Sequence, residues 1–166
     1  MKIQPHFKPL PTSADHNCFA CSPANEAGLQ MAFFQHEDRV YSRTVIPPHL
    51  GGWNGVTHGG VVSTMLDETM SWAAMVLLKR LSFTRKMTLE FMKTVAVGAV
   101  MEAEGRILEV KDNREALVEG ILTDTEHNVC ALSQGTFRIF SPAVAKRLKI
   151  ADDKMLAWFY GLFETP

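Results

Sequence analysis

The spacing of apolar and polar positions changes period twice along this 166-residue chain. Residues 31–35 and 39–46 are short apolar-rich runs on either side of His36-Glu37-Asp38, a pattern that predicts two strands joined by a tight turn. Pro47-Pro48 stops the second strand, because proline offers no N–H to a ladder. A glycine-rich loop follows over residues 51–55. From about residue 60 to 81 the period becomes helical. Val, Met, Leu, Trp and Ala fill most positions, while Thr64, Asp67, Glu68 and Ser71 share one line along the helix. That predicts a helix buried on most sides with a single polar stripe. Past residue 84 the period becomes two. Met87, Leu89 and Phe91 take one face of residues 84–93, and Thr88 and Glu90 the other. Residues 100–110, 116–123 and 129–140 continue as strands. Their connections, at Lys111-Asp112-Asn113-Arg114 and at residues 124–128, are short enough for antiparallel neighbours.

Two strands, one long helix and four further strands predict an α+β fold. So apolar a helix cannot be solvated, and the economical solution is a curved antiparallel sheet of about six strands wrapped around it. Residues 1–30, rich in Pro, Asn and Ser, predict an irregular N-terminal extension with a short helical turn near residues 14–18. Residues 31–140 form the predicted domain. Within the tail, residues 141–166, Ser141-Pro142 opens a predicted C-terminal helical segment over residues 143–163.

Composition narrows the classes. The chain is 46% hydrophobic and 21% charged, ordinary for a soluble domain that can bury a sizeable core. A net charge of −1 gives no electrostatic footprint for nucleic acid or an acidic membrane surface. The apolar run at residues 71–78 is too short to cross a bilayer. Met1-Lys2-Ile3-Gln4-Pro5-His6 lacks an apolar signal core, so a cytoplasmic location is expected. Cys18, Cys21 and Cys130 then read as free thiols. Cys18-Phe19-Ala20-Cys21 has the spacing of half a zinc site or a redox pair. No second such pair follows, and a full ligand set would have to recruit residues such as His16 or Cys130. Neither metal nor cofactor is expected on that count.

The segment that carries chemistry opens the helix: His58-Gly59-Gly60, with Asp67 nine positions after the histidine. The first turn of a helix leaves N–H groups without intrahelical partners, and these can hold a developing oxyanion. A carboxylate in an apolar helix costs free energy unless it is paired or used. Together they suggest a carbonyl clamp and a carboxylate base. Plainer readings stand beside these: a tight turn for Gly59-Gly60, a structural hydrogen bond for His58, a structural polar residue for Asp67. Glu68 points about 100° around the helix from Asp67 and reads as structural. Thr84 reads equally as an ordinary strand residue.

With these residues in view, the chain resembles the hotdog-fold acyl-CoA thioesterases of the phenylacetate-degradation type. The resemblance rests on the His58-Gly59-Gly60 turn, the Asp67-Glu68 pair, the run Phe83-Thr84-Arg85-Lys86-Met87-Thr88-Leu89-Glu90-Phe91, and Cys18-Phe19-Ala20-Cys21 followed by Gly28-Leu29; it covers about residues 16–140. It implies hydrolysis of an acyl- or aryl-CoA thioester. It also implies homodimers, often paired again into tetramers, with the glycine turn of one subunit facing the aspartate of the other. The Gly59 N–H would polarise the carbonyl, His58 would shape the turn, and Asp67 would act as general base or nucleophile. Gly60, Asn54, Thr84 and Glu68 would line the substrate. One position departs: several members carry an asparagine six residues before the histidine, where this chain has Gly52. Either Asn54 substitutes from a differently shaped loop, or that contact is absent. The alternative is the same fold binding acyl-CoA or an acyl carrier without hydrolysis. The spacing speaks to assembly: roughly seven residues of helix span about 10 Å, too far for clamp and base of one chain to meet at one thioester carbon.

Overall fold

The computed structural model describes residues 7–164; the Met1–His6 stretch read for a signal core lies outside them. Seven antiparallel strands form one sheet: β1 (Lys8–Leu10), β2 (Phe33–His36), β3 (Arg39–Val45), β4 (Leu81–Phe91), β5 (Val100–Lys111), β6 (Glu115–Thr123) and β7 (Val129–Phe140). Their order across the sheet is β1-β2-β3-β5-β6-β7-β4. Helix α1 (Gly59–Leu78) lies on the concave face and contributes Val62, Met65, Leu66, Met70, Trp72 and Val76 to the buried core. Its length and composition would suffice for a membrane span, but it is the core of this domain and most of it is buried.

The helix sits close because the strands beneath it lack side chains at the crossing. Gly105 of β5 faces Gly120 of β6 across the ladder. A Cβ on Gly105 would stand 2.8 Å from the Thr69 backbone oxygen, and one on Gly120 would stand 3.0 Å from Met70 Cγ. Elsewhere alternation fills the same face, with Ala116, Val118 and Leu122 of β6 fully buried.

Four details differ from the sequence-based expectation. The extension supplies a seventh strand, β1, paired with β2. The helical turn expected near residues 14–18 is a bend, and the turn proper falls at residues 19–21, with the Ser22 N–H donating to the Cys18 oxygen. Helix α1 stops at Leu78 because Lys79 turns left-handed (φ 51°), which lets β4 begin at Leu81. The C-terminal helical segment is two helices, α2 (Pro142–Arg147) and α3 (Asp153–Gly161). Lys149 (φ 57°) breaks the first, and Asp152 caps the second by accepting from the Met155 N–H at 2.7 Å.

Candidate active site

Helix α1 starts where its sequence provides a cap. His58 is extended (φ −62°, ψ 135°), and its Nδ1 accepts the Gly60 N–H at 2.9 Å. The His58 carbonyl accepts the Val61 N–H. The Gly60 donor is therefore occupied. The Gly59 N–H has no acceptor among the described residues, and Gly59 is exposed. At Gly59 the helix start lies against β4, since a Cβ there would meet the Phe91 ring at 3.3 Å.

β4 runs back along the polar stripe of α1. At its beginning Ser82 Oγ donates to the Ser71 carbonyl at 3.2 Å. Two residues on, Thr84 Oγ1 donates to Asp67 Oδ1 at 2.6 Å. A short bond of this kind to a carboxylate is charge-assisted, and it fixes one oxygen while leaving the other free. A ladder irregularity between Thr84 and Lys86 locally re-aims the strand there. The structure thus brings Asp67 and Thr84 together. It keeps them two helical turns from Gly59, roughly 12 Å along the axis.

Glu68 points elsewhere. Its Oε1 accepts from Trp72 Nε1 at 3.2 Å, and burial raises its pKa above the usual carboxylate range, against hydrogen bonds from Cys21 and Trp72. It lines a cavity of about 450 Å³ with Ser71, Trp72 and Met75 of the same helix, Cys21 of the extension and Trp158 of α3. Trp158 meets Trp72 edge-on at 5.7 Å between centroids, and its Nε1 donates to the Pro11 oxygen. Sequence reasoning missed both the cavity and the role of α3 in it. The apolar residues of the tail signalled only that it packs somewhere.

Asn54 sits at the tip of an exposed hairpin. Asn54 (φ 43°) and Gly55 (φ 80°) are both left-handed, and the Val56 N–H returns to the Trp53 oxygen at 2.7 Å. Gly52 packs at the base of this hairpin, where an added Cβ would stand 3.3 Å from His58 Cα. Arg85 pairs with Glu115 at 2.5 Å.

Residues 54–131 match the sequence model of the thioesterase superfamily. No curated protein matches significantly. Among solved structures, a conserved protein of Pseudomonas aeruginosa is 26% identical, with 63% of this chain and 82% of that one aligned at a TM-score of 0.57. The PaaI protein of the Escherichia coli phenylacetic acid degradation operon aligns at a TM-score of 0.62, with 12% identity over 68% of this chain and 81% of that one. A hypothetical thioesterase of Streptococcus pneumoniae, solved with coenzyme A, aligns at 0.59, with 15% identity over 63% and 83% of the two chains. Mutants of that protein with an aspartate or a threonine replaced by alanine have also been solved. These likenesses establish the hotdog fold.

Proposed function

We propose that this chain, a hotdog-fold protein of the thioesterase superfamily and of PaaI-like type, hydrolyses the thioester of an acyl- or aryl-CoA. The hydrogen bond from Thr84 to Asp67 carries the reading. It orients a carboxylate on the polar line of an otherwise apolar helix and leaves one oxygen to accept a proton. In this mechanism the Gly59 N–H of one subunit holds the carbonyl oxygen. Asp67 of the other subunit takes a proton from water, whose oxygen attacks the carbonyl carbon. The tetrahedral oxyanion rests on the Gly59 N–H. The C–S bond then breaks, and the departing thiolate takes the proton from Asp67. Attack by Asp67 itself, through an anhydride, is the variant that the same geometry allows.

The cavity beside Glu68 is the acyl site in this reading, since its volume falls within the usual range for small-molecule pockets and its walls are mainly apolar. Coenzyme A bound to the pneumococcal protein supports the thiol half of the substrate. The aspartate and threonine chosen for mutation in that protein are the residue types of the Asp67–Thr84 pair.

A thiol-release assay over short, long and aromatic acyl-CoAs tests the reading. Asp67→Asn is expected to lower kcat by about a hundredfold to ten-thousandfold with the fold intact. Equal turnover by the variant would remove Asp67 from the mechanism. A second reading, acyl-CoA binding without hydrolysis, draws on Gly52 and on the turn-forming role of Asn54. Tight binding with no thiol release across the panel would favour it.

A further inference from the structure

The paired cysteines of the extension do not stand alone. Cys18 Sγ, Cys21 Sγ and a Glu68 carboxylate oxygen all lie within 4.8 Å of one another. We infer that Cys18, Cys21 and Glu68 form a binding site for a divalent zinc ion, fastening the extension onto α1 at the wall of the cavity.

Three observations support this. The first is donor chemistry. Two thiolates and a carboxylate are a borderline-soft set that suits zinc and discriminates against magnesium and calcium, which prefer oxygen alone. Sulfurs bound to one tetrahedral zinc stand roughly 3.8 Å apart, so the cluster needs only a small contraction to close on the ion. The second is a built loop. The Cys18–Cys21 turn is pinned by the Leu29 N–H to the Phe19 oxygen at 2.8 Å and the Met31 N–H to the Ala20 oxygen at 2.9 Å. Gly28 admits that approach, because a Cβ there would stand 2.3 Å from the Phe19 oxygen. The third is a place for a fourth ligand. His16 lines the same cavity as Cys21 and Glu68, and its Nδ1 already accepts the Cys18 N–H at 3.2 Å. The imidazole stands outside the 4.8 Å cluster, so a water from the cavity is the ligand that completes the tetrahedron. On binding, each thiol releases its proton to solvent as its sulfur–zinc bond forms. Without an ion, burial holds the Cys21 thiol protonated, Glu68's charge adding to the effect.

The site shares a wall with the proposed acyl cavity, but its test is independent of the thioesterase reading, since metal content can be measured without any substrate. The full chain is reduced, reconstituted with zinc, desalted and analysed by elemental mass spectrometry. About one zinc per chain is expected. Cobalt substitution should give thiolate-to-metal charge-transfer bands with a tetrahedral visible spectrum. Cys18→Ser and Glu68→Gln should each weaken zinc affinity by at least about tenfold, whereas Cys130→Ser leaves it unchanged. The inference is overturned if reconstituted wild-type protein holds no zinc, whether its thiols titrate as free or mass spectrometry finds them joined as a disulfide. Zinc retained at full affinity in both Cys18→Ser and Glu68→Gln also overturns it. Because the wild-type measurement alone can fail, a variant that does not fold leaves the test intact.

Discussion

A single backbone N–H separates the two glycines of the turn. His58 consumes the Gly60 donor as its helix cap, which leaves Gly59 as the proposed oxyanion donor. Gly59 is the first helical residue, a position where proline is welcome because its missing N–H has no helical partner. The preceding His58 is already extended, as a residue before proline prefers. Gly59→Pro should therefore delete the one donor and spare the helix. The expected result is a loss of about a hundredfold to a thousandfold in kcat with little change in melting temperature, followed by the thiol-release assay and circular dichroism. Full activity in a folded variant would relocate the oxyanion hole. The sequence made His58, Gly59 and Asp67 legible, because caps, glycine turns and lone carboxylates are local signals. It also named Thr84, though only the fold could show that β4 returns along α1 at the height of Asp67. The resemblance named the Gly59 N–H as the donor, whereas the reason Gly60 is not it, the imidazole rotamer that caps the helix, was not legible in the sequence.

Elements were legible as periods and illegible as contacts. The buried stripe of α1 and the long strands β5, β6 and β7 follow from helical and alternating spacing, so their positions needed no tertiary knowledge. β1 escaped because three residues carry no period, and it exists only through pairing with β2. The break between α2 and α3 escaped because both halves are apolar enough to read as one segment; Lys149 in a left-handed turn is what divides them. The glycine pair beneath α1 was equally hidden, since two glycines in separate strands announce nothing until register sets them face to face. Gly105→Ala would press a methyl into the Thr69 carbonyl, a backbone atom that cannot rotate aside. Overpacking of this sort costs about 1–3 kcal/mol, so urea unfolding should show a lower midpoint with an unchanged slope. An unshifted midpoint would mean that α1 can lift off the sheet at no cost.

At the scale of the whole molecule, β4 is an edge strand with one side unpaired. Phe83, Phe91 and Met92 at its two ends are about half exposed, and Trp53, in the loop before α1, is 85% exposed. A long edge with apolar ends is the kind of surface that a second copy covers, and the proposed mechanism, which takes Gly59 and Asp67 from different subunits, predicts one. Light scattering at micromolar concentration should give at least twice the 18.5 kDa chain mass. A monomer that retains full activity would contradict a site shared between subunits. The latch across the cavity has a different consequence. The Trp158–Pro11 hydrogen bond joins positions 147 apart in sequence, and the neighbouring Lys154–Asp15 pair is exposed on both sides. Contacts so distant along the chain close a very large loop, and an exposed ion pair adds little to hold it. Pairing of β1 with β2 already docks the chain next to Pro11, so the contact with α3 is expected to close after that strand is in place. Hydrogen exchange is expected to be faster at the Trp158 indole N–H than at the amides of β5, β6 and β7, a local opening beside Trp72 that leaves the sheet folded.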